Sequence, residues 1–80
     1  LVAKGAKLLD VRTPDEFASG HIDGAVNIPV QELGSRLGEL DKAQATVVYC
    51  ASGIRSSAAM RMMKEGGFAQ VYDLGGKSNW

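Results

Sequence analysis

The sequence predicts an α/β fold, with a central, mainly parallel sheet that has helices on both faces. Four short runs rich in Val, Ile and Leu alternate with segments of helical pattern, and turn residues bound each run. The length of 80 residues and the 45% hydrophobic content are typical of one globular domain. We therefore predict a single domain over residues 1–80.

The predicted strands cover residues 7–11, 25–29, 46–50 and 70–74. The predicted helices cover residues 13–20, 30–42 and 55–68. The first helix has the clearest boundaries. Thr13 and Glu16 have the spacing of a capping box, Pro14 occupies the first helical position, and Gly20 follows the last turn.

The other two helices are predicted from their apolar stripes. The second has leucines at i, i+4 and i+7, namely Leu33, Leu37 and Leu40. The third places Ala58, Ala59, Met62 and Met63 on one face, and Gly66 follows as its stop.

Composition excludes several classes of function. Nine basic and nine acidic residues give a net charge of zero without a basic stripe, so nucleic acid is not a predicted partner. No apolar run approaches the roughly 20 residues that span a bilayer, so no membrane is predicted either. One cysteine excludes an internal disulfide, and the chain has no zinc-type Cys/His cluster. We expect a cytoplasmic protein, or a periplasmic one if a signal peptide has been removed, and a chain trimmed at both ends.

The only cysteine lies in "YCASGIRSS", residues 49–57, directly after an apolar run. The pattern is strand, tight loop, helix, and functional sites of parallel sheets lie beyond the carboxyl ends of the strands. Backbone N–H groups of the loop and of the helix start have no partners within their own elements. If they converge, they form an anion cradle around Cys50 and lower the pKa of its thiol.

The side chains of the loop agree with a reactive cysteine. Gly53 permits a backbone geometry that a Cβ would hinder, and Arg55 adds positive charge at the rim. Ser52 and Ser56 supply hydroxyls that can bond a sulfur or an oxyanion. A lone cysteine is more often a small buried hydrophobe, but the loop around Cys50 favours a nucleophile.

The residues leave two electrophiles open. A thioredoxin-type cycle needs a second cysteine, and His21 is far from Cys50 in sequence, so a Cys/His dyad depends on the fold. A thiolate in an anion cradle attacks either phosphorus in a phosphate ester or sulfur in a sulfane donor.

Two charged residues, two positions apart, lie on one face at the end of the first predicted strand. We expect Asp10 and Arg12 to belong to a buried network of ion pairs and hydrogen bonds with Glu16 or His21. We also expect His21 to hold the turn before the second strand through a bond to the backbone.

Three blocks of the chain, residues 8–29, 47–57 and 67–80, resemble the rhodanese family of sulfurtransferases. The resemblance implies a rhodanese-like fold. It implies that Cys50 takes a sulfur atom from a donor such as thiosulfate, becomes a persulfide, and passes the outer sulfur to cyanide or a thiol. It also implies that the loop amides cradle that sulfur, without a metal or an organic cofactor. The loop residues are Ala51, Ser52, Gly53, Ile54 and Arg55.

Two alternatives accompany this hypothesis. Phosphatases related to the family place five residues between cysteine and arginine, whereas four residues separate Cys50 from Arg55. The shorter ring suits a single sulfur better than a phosphate, which makes a small cysteine phosphatase the weaker alternative. The second alternative is a sulfur-relay or recognition module, whose partner is a protein sulfur acceptor in place of a small molecule.

Overall fold

The computed structural model describes residues 5–51 and 53–76. The strands are β1 (Lys7–Asp10), β2 (Val26–Asn27), β3 (Thr46–Cys50) and β4 (Val71–Gly76). The helices are α1 (Pro14–Ser19), α2 (Val30–Arg36) and α3 (Ile54–Glu65), and a 3-10 turn (Leu37–Glu39) follows α2.

The four strands form one parallel sheet in the order β2-β1-β3-β4. The chain therefore crosses over from β2, at one edge, past β1 to the central β3. Parallel neighbours require long connections, and each of the three connections contains an α-helix. The predicted α/β fold class is confirmed. Among the described residues, no helix is long and apolar enough to cross a membrane.

Apolar clusters cover both faces of the sheet. On one face, Leu33 of α2 and Ala59 and Met63 of α3 pack with buried residues of β1, β3 and β4. On the other face, Ile22 packs with three strand residues, Leu8, Val47 and Tyr49. All five residues of β3 are buried, as expected for the central strand of a covered parallel sheet.

Three elements are one or two residues shorter than predicted, and two are shorter by three residues or more. The second helix ends at Arg36, not at residue 42, and continues only as the 3-10 turn. Gly34 and Gly38 weaken the helical conformation, while Leu37 and Leu40 reach the core without continuing the helix. The second strand comprises Val26–Asn27 instead of residues 25–29, because a proline that lacks an N–H follows Ile28.

The fourth strand is longer than predicted and brings its end to the cysteine loop. The register between β3 and β4 shifts after Val48, so that Tyr49 pairs with Gly75 and Cys50 with Gly76. Leu74 is the extra residue of this bulge, and Gly75 has φ +86°. The bulge shifts the register by one residue, so that Gly76 lies beside Cys50, the residue that ends β3.

Candidate active site

Cys50 ends the central strand, and it is fully buried. Its Sγ accepts hydrogen bonds from the backbone N–H of Gly53, at 2.8 Å, and of Ser56, at 3.3 Å. The thiol also lies 3.6 Å from Ser56 Oγ, to which it donates. Two amides, one from the loop and one from the first turn of α3, thus converge on the sulfur. Donors aimed at a sulfur favour its anionic form.

Gly53 makes this convergence possible. It precedes α3 with φ +95°, a left-handed conformation that side chains rarely adopt. A Cβ on Gly53 would also lie 3.5 Å from Gly75 Cα, so the loop and β4 are in contact. Ser56 Oγ donates to the Gly53 carbonyl at 3.1 Å and holds the turn closed. The left-handed turn is therefore what directs the Gly53 N–H toward the sulfur.

Arg55 is engaged in an ion pair with α1. Its Nη1 and Nη2 donate to the two carboxylate oxygens of Glu16, at 2.6 and 3.0 Å. Glu16 Oε1 also accepts from the Thr13 N–H at 2.9 Å, in the capping box that the sequence predicts. Hydrogen bonds from Arg55, and then from the Thr13 backbone, lower the pKa of Glu16 to about 2. The structure thus gives the predicted rim charge a partner that sequence reasoning missed.

The remaining loop residues differ in exposure. Ala51 is exposed, and the Ile54 side chain at the start of α3 is 77% exposed. Ser52, which we predicted to contribute a hydroxyl, lies outside the described residues. The rim beside Cys50 therefore combines an apolar surface with an ion pair.

A buried polar network lies at the end of β1. Arg12 Nη2 donates to Asp10 Oδ2 at 2.8 Å and to the Gly20 carbonyl at 2.7 Å. The Tyr49 hydroxyl donates to Asp10 Oδ2 at 2.8 Å and accepts from the Ile22 N–H at 3.2 Å. Burial is the main cause that raises the pKa of Tyr49, and hydrogen bonding to Asp10 raises that of Arg12. The predicted buried pair is confirmed.

The partners of this network differ from the prediction, since neither Glu16 nor His21 bonds to Asp10 or Arg12. Tyr49 is the partner of Asp10 that the prediction assigned to Glu16 or His21. A tyrosine in a central strand was the signal that could have revealed it, because a buried phenol needs a hydrogen-bond partner. His21 instead bonds to the Phe17 carbonyl at 2.9 Å through Nδ1, and its ring stacks on Phe17 at 3.7 Å. His21 thus holds the end of α1.

Within residues 5–51 and 53–76, no group of three or more His, Cys, Asp or Glu side chains is placed to hold a metal ion. His21 and Cys50 form no hydrogen bond with each other there. The polar groups that surround the sulfur include backbone amides, the Ser56 hydroxyl and the nearby Arg55.

Comparison with known proteins places this chain in a family. The family described as "Rhodanese-like domain" matches residues 1–80. The chain belongs to this family. Its relatives include the uncharacterized protein YqhL of Bacillus subtilis, 40% identical over 76 residues, which cover 94% of the chain and 60% of YqhL. They also include the thiosulfate sulfurtransferase GlpE of Shewanella oneidensis, 40% identical over 79 residues, which cover 98% of the chain and 78% of GlpE.

Solved structures of rhodanese type are similar over nearly all of the chain. The human single-domain sulfurtransferase TSTD1 has a TM-score of 0.91 and 31% identity, and the match covers 100% of this chain and 85% of TSTD1. The NAD-dependent persulfide reductase from A. fulgidus has a TM-score of 0.80 and 37% identity. That match covers 96% of this chain but 14% of the reductase, so this domain type also occurs within larger proteins.

Proposed function

We propose that this rhodanese-family chain is a sulfurtransferase that carries a sulfane sulfur as a persulfide on Cys50. The observation that carries the proposal is the convergence of the Gly53 and Ser56 amides on Cys50 Sγ. Relatives named thiosulfate sulfurtransferase support the same class of reaction. Thiosulfate is accordingly the donor that we propose to test first.

The proposed reaction has two steps. The Cys50 thiolate attacks the sulfane sulfur of thiosulfate, a new S–S bond forms, and the old S–S bond breaks. The electron pair of the broken bond leaves with sulfite, so the net charge is the same before and after. Cyanide or a thiolate then attacks the outer sulfur of the persulfide, and the Cys50 thiolate leaves. Thiocyanate or a new persulfide is the product.

The loop amides have the same task in both steps. They face a sulfur that is negatively charged as the attacking thiolate and again as the leaving thiolate. Burial of Cys50 opposes ionisation, whereas the two amide donors favour it. We expect the donors to prevail and the pKa of the thiol to lie below its ordinary value. Because Cys50 has no exposed surface, the loop has to admit the donor before the attack.

The size of the loop supports sulfur over phosphorus as the element attacked. Four residues separate Cys50 from Arg55, one fewer than in the related phosphatases. The shorter ring closes more tightly and suits a single sulfur better than a phosphate, which carries three oxygens.

Turnover of thiosulfate and cyanide by the purified chain tests the proposal. We expect thiocyanate and sulfite to form in equal amounts, and a C50S variant to form neither. Absence of both products from the folded parent chain, with thiosulfate and with an organic persulfide as donors, would refute the proposed activity.

A protein acceptor is the second candidate, and the exposed Ile54 favours it. The residue is 77% exposed beside the loop, so a protein that docks over Cys50 to take up sulfur would contact it. Ile54→Ser should then slow sulfur transfer to the protein acceptor while leaving transfer to cyanide unchanged. Equal effects on both acceptors would contradict this candidate.

A further inference from the structure

The guanidinium of Arg55 is held on one side. Both terminal nitrogens donate to Glu16. Nε makes no hydrogen bond within residues 5–51 and 53–76. Two parallel N–H bonds of this kind are also how arginine binds a carboxylate or an oxyanion of a ligand. Glu16 therefore takes up two of the five N–H donors of Arg55, one on each terminal nitrogen, and an anionic donor that binds there has to share the guanidinium with this carboxylate.

The charges near the cysteine loop balance. Asp10 pairs with Arg12 in the buried network, and Glu16 pairs with Arg55 at the rim. The two side chains of the rim pair are 34% and 31% exposed, so solvent and dissolved ions reach them. An anion that approaches Cys50 meets no net positive charge from these four groups. Removing the charge of Glu16 alone would raise the net charge of these four groups from zero to +1.

We propose that Glu16 is a specificity-determining residue whose carboxylate competes with the anionic sulfur donor for Arg55. The inference rests on the proposed sulfurtransferase function and deepens it. A dianion such as thiosulfate has to displace Glu16 or share Arg55 with it, and it is repelled by the carboxylate that remains nearby. A donor with less charge loses less binding affinity through this competition. Glu16 thereby reduces the preference of the site for highly charged donors.

The variant Glu16→Gln tests the competition. Glutamine keeps an oxygen that can accept from the Thr13 N–H, so the cap of α1 is retained, but the charge that holds Arg55 is lost. Asp15→Asn is the matched control. Asp15 is exposed in the same helical turn, and its side chain makes no bond among the described residues. Both variants remove one negative charge, and only the first releases Arg55.

We expect E16Q to lower the KM for thiosulfate about two- to fivefold, the range expected for a partly exposed ion pair. The KM for benzenethiosulfonate, a monoanion, should fall less, and D15N should change neither constant. The effect of E16Q should shrink in an R55A background and at high ionic strength. An unchanged or raised KM for thiosulfate in E16Q would overturn the proposal, and so would an effect of equal size without Arg55.

A second measurement does not depend on sulfur transfer. Iodoacetate is an anion and iodoacetamide is neutral, so the ratio of their rates of alkylation at Cys50 reports the charge that an approaching anion meets. We expect E16Q to raise this ratio more than D15N does, and R55A to lower it. Equal ratios in E16Q and D15N would contradict competition at Arg55. This readout still applies if thiosulfate turnover fails, so failure of the proposed function and failure of this inference are distinguishable.

Discussion

Two polar regions lie side by side at the carboxyl edge of the sheet and use their hydrogen bonds in opposite ways. At the end of β1, Asp10, Arg12 and Tyr49 are buried, and their polar groups bond to one another and to nearby backbone. At the end of β3, two backbone amides point at one sulfur, that of Cys50. Side chains neutralise each other in the first region, whereas backbone donors converge on the sulfur of the proposed nucleophile in the second.

We infer from this difference that the first region serves stability and the second serves the proposed chemistry. No buried side-chain nitrogen or oxygen lacks a hydrogen-bond partner in the described part of the chain. The β1 network is therefore closed, and opening it leaves a charge or a phenol buried without a partner. The Cys50 loop instead stabilises an atom whose charge changes during the proposed reaction. Variants of the two regions should separate stability from activity.

Cys50→Ser should have the largest effect. The hydroxyl fits the space of the thiol but ionises far too weakly to attack at neutral pH. We expect sulfur transfer to fall below detection, while the thermal midpoint of unfolding stays close to that of the parent. Thiocyanate formation by C50S above a few per cent of the parent rate would place the chemistry elsewhere.

A glycine inserted between Gly53 and Ile54 should have the next largest effect. It enlarges the ring to the phosphatase spacing and moves the Ser56 amide, which lies beyond the insertion, away from the sulfur. In enzyme sites that stabilise an oxyanion, loss of one hydrogen-bond donor lowers the rate about a hundredfold. Because the Gly53 amide remains, we expect persulfide formation to fall at least about tenfold. Phosphate or vanadate should begin to protect Cys50 from alkylation.

The control for this variant is a glycine inserted between Lys42 and Ala43, two exposed residues remote from the loop. It should leave both persulfide formation and the alkylation of Cys50 in the presence of phosphate or vanadate unchanged. Normal sulfur transfer by the loop variant, without any gain in oxyanion binding, would show that loop length does not select the element attacked.

Tyr49→Phe should open the β1 network with little effect on chemistry. It removes the bonds of the hydroxyl to Asp10 and Ile22. We expect the free energy of unfolding to fall by about 1–3 kcal/mol in denaturant titrations. The rate of persulfide formation in the folded variant should stay within about twofold of the parent.

Tyr72→Phe serves as the matched control for Tyr49→Phe, because Tyr72 is 42% exposed on β4. Its hydroxyl makes no hydrogen bond among the described residues, so the variant should keep the parent stability. If Tyr49→Phe slowed persulfide formation without lowering stability, the division between the two regions would be wrong.

The smallest expected effect concerns acid stability. The pKa of Glu16 is lowered from 4.5 to about 2 by Arg55 and Thr13, so its contribution to folding is present above about pH 4.5. That contribution is lost as the pH falls toward 2. The thermal midpoint of the parent should therefore drop in this window, and that of E16Q should drop less. D15N should follow the parent, and parallel curves for the parent and E16Q would contradict the assigned role of the pair.

Local signals made part of this arrangement predictable. The capping box of α1 depends on residues three apart, and the strand–loop–helix pattern around Cys50 is contiguous in sequence. Gly53 was identifiable because a left-handed turn before a helix favours glycine. The fold class followed from the alternation of strands and helices, since parallel strands need crossover connections.

Contacts between distant residues were not predictable in the same way. Glu16 and Arg55 are 39 positions apart and meet only because α1 and α3 begin at the same edge of the sheet. A separation of this length gives no periodic signal in the sequence. The capping role of Glu16 also accounted for the presence of a glutamate at this position, so nothing in the sequence pointed to Arg55 as a second partner. The bulge at Leu74 depends on how β4 pairs with β3, which sequence patterns do not determine.

The intact mass of the protein after treatment with thiosulfate tests the central claim most directly. We predict a gain of one sulfur atom in the parent chain, located on the peptide that contains Cys50 and removed by dithiothreitol. The C50S variant should gain nothing under the same conditions. A parent chain that stays folded and shows no gain in mass with thiosulfate or an organic persulfide would contradict the claim that Cys50 carries sulfur.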